Sequence, residues 1–481
     1  MAAEREQGAF IPPLYVDLDG TLIRSDVFLE AGLQFLSRRP SGIAELGRRA
    51  RAGRPGLKRW LAEVAELDVD ALPWQTEFIA WLRAEKKRGR RLVLATAADG
   101  RIAHAVADHL GCFDAVLASD GEVNLKGAAK RDRILEHCGG GPFAYAGDSN
   151  ADRPVWKAAA ERIAVRPSPG LGRWLRRHSA RVFAEETVPR PSRSWPRALR
   201  VFQWMKNLLV FAPMILAHRL GDPALYLAGI TAFISFSLLA SSVYVMNDLA
   251  DLEADRRHPR KRRRPFASGA LNPGWGLLAA PLLLLGALLT ALALPPAFAG
   301  WAGLYVVLNL AYSWGFKRIF LLDVLTLAVF YTLRFAAGSA ATGVPCSLWF
   351  VAFSLAGFMS LAFVKRYAEL REVKEANTHD RVKGRGYRVR DLGLLLGCGV
   401  AMGAAAVGVF CAYLASAQVS TLYARPFVLW GVAALMVGWL GRIWLLAKRG
   451  VLRDDPVEFA LTDRVTWVLA ALAAALVLIA A

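Results

Sequence analysis

Two sets of carboxylates in this sequence are spaced for phosphorus chemistry. The first is DLDGT, with Asp17, Asp19, Gly20 and Thr21 at the end of a short apolar run, Leu14–Asp17. A carboxylate at Asp17 can attack phosphorus and form an aspartyl-phosphate, which splits one hard step into two. A second carboxylate two residues on, Asp19, beside a tight glycine turn, can protonate the leaving oxygen and then activate water. A hard cation such as Mg2+ requires oxygen ligands, which Asp17, Asp148 and the turn at Asp19 supply. Thr96 and a lysine would neutralise charge on the phosphoryl oxygens. That lysine lies in NLKGAAKRDRIL, where Lys130 is preferred over Lys126 because it opens the helix leading to Ile134 and Leu135.

The second set is NDLADLEAD: Asn247, Asp248, Asp251 and Asp255, whose spacing projects them from one helix face while Glu253 points elsewhere. Three carboxylates at a membrane boundary repel one another unless cations sit between them, and the natural ligand is Mg2+ bridging to a diphosphate. Basic groups accompany this motif. They are Lys206 and Asn207 in QWMKN, Lys261, Arg262 and Arg264 in KRRRPFASG, Tyr312 followed by Lys317, and Lys365, Arg366 and Glu369 in KRYAEL. Arg334 lies inside an apolar segment, and a cation there faces a cavity and a partner, with Asp323 either that partner or a site residue. This acidic motif and its basic groups together imply one Mg-diphosphate and at least one further phosphate held by cations.

The elements that must position these groups differ between the two halves. Leu14–Asp17, Arg91–Thr96, Ala115–Ser119, Phe143–Gly147 and Arg162–Val165 read as strands separated by helical stretches. That alternation predicts a doubly wound parallel α/β sheet, whose sites gather at strand C-termini, with a helical insert at about 25–80. After residue 200 the pattern predicts an all-α polytopic membrane domain of nine transmembrane helices. The apolar segments are 201–217, 224–246, 276–294, 297–314, 319–341, 346–364, 391–414, 426–447 and 465–481. With the N-terminal domain in the cytosol, the cytosolic loops carry Arg256, Arg257, Arg260 to Arg264, Lys317, Arg318, nine Lys/Arg between Lys365 and Arg390, and then Arg442, Lys448, Arg449 and Arg453. The opposite loops offer only Arg219 and Arg425, a positive-inside asymmetry that puts the C-terminus on the far side of an inner (plasma) membrane.

Composition narrows the classes. At 481 residues with 55% hydrophobic content the chain suggests more than one domain, divided here as 1–185, a connector at 186–200 rich in proline, and 201–481. Disordered, fibrous and disulfide-rich classes are excluded. The net charge of +20 follows the membrane loops, so no nucleic-acid partner is expected. The five cysteines form no close pair and no metal spacing, and MAAEREQGAF holds no apolar stretch, so no cleavable signal peptide is expected.

DLDGT, Thr96, a lysine and GDxxxD, ending at Asp152, resemble the haloacid dehalogenase superfamily over about residues 12–185, with the insert in the position of a small cap. The resemblance implies that Asp17 is the nucleophile, Asp19 the acid/base and Thr96 a phosphate-binding residue. NDxxDxxxD resembles the UbiA superfamily of intramembrane prenyltransferases over about 195–481. Most of that superfamily carries a second acidic motif after the sixth helix, whereas KRYAEL stands here. Base in place of acid implies a direct phosphate clamp rather than a second metal site.

The wider pattern, QWxKN, NDxxDxxxDRxHPxKRxRP, AYSxxxK and KRYAEL, resembles the decaprenyl-phosphate phosphoribosyltransferases. That resemblance implies transfer of 5-phosphoribose from phosphoribosyl diphosphate to polyprenyl phosphate within the bilayer. The phosphatase half would then remove the 5-phosphate and leave polyprenylphosphoryl ribose, an arabinose-donor precursor for cell-wall glycans. The competing expectations are prenyl transfer to an aromatic or lipid acceptor beside an independent phosphatase, and a lipid carrier. A homo-oligomer is compatible with each of them.

Overall fold

The computed structural model describes residues 11–51, 53–65, 67–119, 123–178, 180–183, 191–219, 221–376, 385–452 and 455–481. The first ten residues, residues 184–190 with the start of the connector, Arg381, Lys383 and Arg453 lie outside the described residues. The chain forms two compact units, residues 1–200 with 244–281, and residues 201–243 with 282–481.

The first unit is built on a parallel sheet of six strands: β1 Leu14–Val16, β2 Leu92–Asp99, β3 Ala115–Ser119, β4 Ala144–Gly147, β5 Glu161–Val165 and β6 Arg181–Phe183, in the order β3-β2-β1-β4-β5-β6. Strand β1 is buried throughout, as a central parallel strand covered on both faces must be. Its side chains alternate between two cores. Leu14 and Val16 pack with Leu92, Leu94 and Ile163, while Tyr15 packs with Val93, Phe143 and Trp156 on the other face. The register sets Val16 opposite both Leu94 and Ala146, so the chain leaves β1 at Asp17 beside the end of β4 while β2 runs on to Asp99. The five expected strands are present. Strand β6 is the addition, three residues at the sheet edge with a charged first position, too short to give a period-2 pattern.

The insert forms helices Val27–Arg38, Ile43–Arg51 and Arg54–Val64. Asp26 caps the first by accepting from the backbone N–H groups of Phe28 (2.9 Å) and Leu29 (3.1 Å). Ala31, Phe35, Leu57, Trp60 and Leu61 give the insert a small core of its own.

Residues 244–281 pack with this unit through polar pairs. Both terminal nitrogens of Arg256 donate to the Glu30 carboxylate at 2.8 and 2.7 Å. Gln34 donates to Glu253 at 2.8 Å, Ser37 to the Ala250 carbonyl at 2.9 Å, and Arg24 to the Ser268 carbonyl at 3.1 Å. Composition alone does not register these pairings, because they join positions more than 200 residues apart in sequence.

The second unit is helical. Val324, Phe363, Val364, Ile443 and Trp444 lie in its largest core. Gly399 is required there: a Cβ at that position would stand 2.1 Å from the Trp444 ring, whose indole N–H donates to Ser360 at 3.2 Å.

Among the described residues six helices are long and apolar enough to cross a membrane, or seven if the bent pair Pro456–Thr462 and Arg464–Ala480 is one span. Nine spans are therefore not reached, for identifiable reasons. Segment 201–217 is a 3₁₀ helix, Val201–Phe211, followed by a short α-helix, Ala212–Leu216. Segment 297–314 does form a helix, Pro296–Trp314, but Asn309 and its tyrosines and tryptophans dilute its apolar character. The final segment breaks by 79° between Thr462 and Arg464, leaving 17 residues beyond the bend.

Candidate active sites

Asp17 stands just past β1, where its backbone N–H bonds to Ala146 O (3.0 Å) and its side chain accepts from Leu18 N (2.8 Å). Lys130, in helix Ala128–His137, is buried and places Nζ 2.8 Å from Asp17 Oδ1 and 3.1 Å from the Tyr145 hydroxyl. Tyr145 in turn donates to Asp152 at 2.7 Å. Asp152 also accepts from the backbone and hydroxyl of Ser149 (3.1 and 3.2 Å), which folds the turn after β4 so that Asp148 faces Asp17. One oxygen each of Asp17, Asp148 and Asp152 lies within 4.8 Å of the others. Three hard oxygen donors at that spacing fit a divalent cation such as Mg2+.

Gly20 makes this approach feasible. Its φ is +74°, and a Cβ there would stand 2.0 Å from Asp148 Oδ2, so a side chain would displace the carboxylate. Asp19 accepts from Val27 N at 2.8 Å and is not one of the three converging carboxylates. Burial, and then Asp26, holds it well above the usual carboxylate range. Burial also raises Asp17 to about 6, with Lys130 pulling it down and Asp152 pushing it up. Asp148 is likewise well above its ordinary value, from burial and from Asp17 and Asp152.

Thr96 is fully buried at the C-terminal part of β2, with its hydroxyl oxygen accepting from Ala98 N at 3.0 Å. Its neighbour Ala97 lines the cavity. Between the two lysines the geometry favours Lys130 at Asp17, while Lys126 lines the same cavity from an exposed position. Asp152 is the organising residue that spacing alone left as a neighbour. The cavity encloses about 740 Å³, and Asp17, Asp19, Lys130 and Asp148 share it with Trp195, Leu271 and Trp275.

The NDxxDxxxD residues also lie in the first unit. Asp248 ends the long helix Pro223–Ala250 and Asp255 lies in the following helix, Leu252–Arg257. Both are buried, and one nitrogen of Arg264 bonds to both, at 3.1 Å from Asp248 and 2.6 Å from Asp255. Those two carboxylates therefore converge on a point that suits a cation. Arg200 adds a bond to Asp248 at 2.6 Å and stacks on Tyr244. Asp251 is exposed, and among the described residues the motif's three carboxylates do not form a cluster like that of Asp17. Arg264 thus serves as a bridge between carboxylates rather than as an open phosphate donor. Lys261 approaches Asp255 at 3.8 Å, whereas Arg262 lines a separate cavity with Arg256 and Arg257. Asn247 is half-buried one residue before Asp248. Arg200 escaped sequence reasoning because it sits at the end of a connector with no motif around it.

In the second unit the predicted basic residues fall into three pairings. Lys206 lies 3.5 Å from both Asp455 and Glu458, and Lys365 donates to the same Asp455 at 2.9 Å. Arg334 donates to Asn207 at 2.7 Å, packs near the rings of Tyr305 and Tyr331, and leaves Asn207 to donate to Ser237. Arg366, fully buried, bonds to Asp323, Glu369 and Tyr312, and Arg385 joins the same Asp323 and Tyr312. Asp323 is thus the partner of Arg366 and Arg385 and not of Arg334. Lys317 is half-buried on the short turn Phe316–Arg318. Asp455, Glu458 and Arg385 were missed, since Asp455 caps a short helix with Glu458 in its first turn and Arg385 stands in a loop, where single charges carry no spacing signal.

Similarity to known proteins assigns two stretches of the chain to different families. Residues 208–462 match the UbiA prenyltransferase family, and residues 14–157 match the haloacid dehalogenase-like hydrolases. An uncharacterized protein of Sinorhizobium fredii, y4nM, is 39% identical over 465 residues, covering 96% of this chain and 90% of its own. Nodulation protein NoeC of Azorhizobium caulinodans is 34% identical over 277 residues, covering 57% of this chain and 88% of its own. Decaprenyl-phosphate phosphoribosyltransferase of Mycobacterium tuberculosis is 37% identical over 178 residues, which is 36% of this chain and 59% of that enzyme. With a UbiA match over more than half its length and a relative similar from end to end, the chain belongs to the UbiA prenyltransferase family and carries a haloacid dehalogenase-like hydrolase domain ahead of it.

Proposed function

We propose that the chain is a bifunctional membrane enzyme. Its UbiA-like part transfers 5-phosphoribose from phosphoribosyl diphosphate to polyprenyl phosphate and releases diphosphate. Its hydrolase part then removes the 5-phosphate, leaving polyprenylphosphoryl ribose as a precursor for cell-wall arabinan. Partial similarity to decaprenyl-phosphate phosphoribosyltransferase supports the choice of donor and acceptor. The observation that carries the two-step reading is the wall of the Asp17 cavity. Leu271 and Asn272 line it, together with Trp275 from the first turn of the apolar helix Pro273–Ala291. A phosphatase for freely soluble esters has no need of a wall taken from a candidate span, whereas one acting on a lipid headgroup does.

In the hydrolytic step a carboxylate oxygen of Asp17 attacks phosphorus, and the bond from phosphorus to the sugar oxygen breaks as Asp19 donates its proton to that oxygen. Asp19 then takes a proton from water, whose oxygen attacks the same phosphorus and releases phosphate from Asp17. A raised Asp19 suits a group that must hold a proton at neutral pH. Lys130 holds Asp17 in place, and the chain Lys130–Tyr145–Asp152 fixes the acidic turn. A divalent cation held by Asp17 and Asp148, with Asp152 beside them, would supply neutralisation of the transferring phosphoryl group.

In the transfer step Asp248 and Asp255, with Asn247 and Asp251, would hold Mg2+ on the diphosphate. The lipid phosphate attacks the anomeric carbon from the face opposite the diphosphate, so the configuration inverts. No strong general base is needed, because the nucleophile is already an anion. Lys206, Lys317, Arg334, Lys365 and Arg366 would bind or position the remaining phosphates.

The test incubates the purified full chain with Mg2+, polyprenyl phosphate and phosphoribosyl diphosphate, and weighs the lipid product by mass spectrometry. Wild type is expected to give ribosylated lipid without the 5-phosphate, Asp17→Asn to stop at the phosphorylated lipid, and Asp248→Ala to give neither. Phosphorylated lipid from both wild type and Asp17→Asn would overturn the second step. Absence of any ribosylated lipid would overturn the donor assignment and leave prenyl transfer to an aromatic or lipid acceptor.

A further inference from the structure

The Asp17 cavity is larger, and carries more cations in its lining, than removal of one phosphoryl group requires. Lys130 is committed to Asp17 and Tyr145, and Arg24 to Gln75 and the Ser268 carbonyl. Three further cations, Lys58, Lys126 and Arg166, line the same space. Lys58 belongs to helix Arg54–Val64 of the insert and reaches back to donate to the Ala97 carbonyl at 3.1 Å, next to the buried Thr96. Among the described residues no carboxylate lies within ion-pair distance of the ammonium groups of Lys58 or Lys126. Arg166 follows β5 with φ +45°, a conformation that a non-glycine residue holds at a cost of about 1 kcal/mol or more. Its backbone N–H is fixed to Phe183 O at 2.8 Å, so the fold maintains that strained position at the cavity edge. The cations thus border the cavity from the insert, from the loop before helix Ala128–His137 and from the end of β5. Trp195, Leu271 and Trp275 add apolar lining, with Asn272 among them.

We propose that Lys58, Lys126 and Arg166 form a second anion subsite that selects phosphomonoesters carrying another phosphate group, the apolar wall receiving what is attached to that second phosphate. This rests on the reading of the Asp17 cavity as a phosphomonoesterase site and deepens it by naming the substrate class. The bond broken remains the one between phosphorus and the ester oxygen at Asp17, with water as the second reactant. The subsite takes no part in that exchange and acts on selectivity. Two sources offer the same chemistry, a soluble sugar bisphosphate and a lipid phosphodiester of a sugar phosphate, and the wall separates them.

The experiment measures kcat/KM of the full chain, in detergent with Mg2+, for p-nitrophenyl phosphate, ribose 5-phosphate, ribose 1,5-bisphosphate, fructose 1,6-bisphosphate and a ribose 5-phosphate bearing a farnesyl phosphodiester at C1. Ribose 1,5-bisphosphate is expected to exceed ribose 5-phosphate by about 10-fold, the scale of one charge-assisted phosphate contact, and the farnesyl diester to exceed both. Lys58→Ala with Lys126→Ala should shrink the bisphosphate preference toward one, and Lys58→Arg with Lys126→Arg should restore most of it, which a folding defect would not allow. Trp275→Ala should lower the farnesyl diester relative to the bisphosphate.

Hydrolysis of ribose 5-phosphate and its bisphosphate at equal efficiency would overturn the subsite while leaving the phosphatase in place. An equal preference for fructose 1,6-bisphosphate and the ribose compounds would support the subsite and overturn the ribosyl-lipid assignment. Failure to hydrolyse p-nitrophenyl phosphate or any of the esters would overturn the phosphatase reading and the subsite with it.

Discussion

Immediately around Asp17, the carboxylates of Asp17, Asp19, Asp148 and Asp152 are accompanied by one buried ammonium, that of Lys130, while the other cations of the cavity stand apart from it. In the helical unit Arg366 and Arg385 meet on Asp323, Arg366 also takes Glu369, and Lys206 and Lys365 meet on Asp455. The first arrangement leaves negative charge in excess, and burial raises Asp17, Asp19 and Asp148 accordingly. The second neutralises its charges pairwise, as groups withdrawn from water must be. The difference separates a cluster whose charge a cation would offset from ion pairs already matched within the protein. Within KRYAEL, Arg366 spends its donors on protein carboxylates and the Tyr312 hydroxyl.

The sharpest way to break this comparison is at Asp17 itself. Asp17→Asn should lower phosphomonoester hydrolysis by at least about 10³-fold, because the attacking oxygen is lost, while ribosyl or prenyl transfer in the same preparation persists. Retained hydrolysis, measured as phosphate release, would move the nucleophile elsewhere. Next in size is Asp323→Ala, which strands two guanidinium groups in the helical unit. It should cost about 3–5 kcal/mol, read as loss of folded protein on heating in detergent. An unchanged melting profile would show that Arg366 and Arg385 find other partners. Glu30→Gln removes one charge from the buried pair with Arg256 but keeps hydrogen-bonding atoms, and about 2 kcal/mol is expected. Here the readout is proteolysis of the insert, which should quicken.

The parts legible in the sequence were those with short-range pattern. Strand ends at Asp17 and Gly147 follow from apolar runs closing on DLDGT and GDxxxD, and the parallel sheet follows from their alternation with helices. Lys130 was legible as the residue that opens a helix. What escaped depends on contacts between distant positions. Asp455 carries no motif, yet it joins Lys206 and Lys365. Arg264 reads as one of a basic run, and only folding brings its nitrogen between Asp248 and Asp255. Among the described residues the count of nine spans is not reached where apolar composition does not fix backbone geometry, at the 3₁₀ stretch Val201–Phe211 and the break before Arg464.

The smallest effect concerns the excess charge in the hydrolase cavity. Asp17 has a folded-state value of about 6, above the ordinary 3.8, so the folded protein binds this proton more tightly than the unfolded chain does. The stability this contributes is fully present below 3.8 and is lost as pH rises through about 6. At neutral pH with a chelator present, the ionised Asp17 therefore weakens the domain, and it also raises Asp148. Asp17→Asn should then stabilise the hydrolase unit at pH 7 by about 2 kcal/mol in chelator, less than the full shift because Lys130 loses a partner. The gain should shrink as the pH is brought toward 4, and Mg2+ should reverse its sign by stabilising wild type alone. Melting both proteins with and without Mg2+ at pH 7 and near pH 4 checks this. A variant that melts below wild type in chelator at pH 7 would show that the Asp17–Lys130 pair outweighs the crowding of carboxylates, and the contrast between the two regions would then lie in geometry rather than in charge balance.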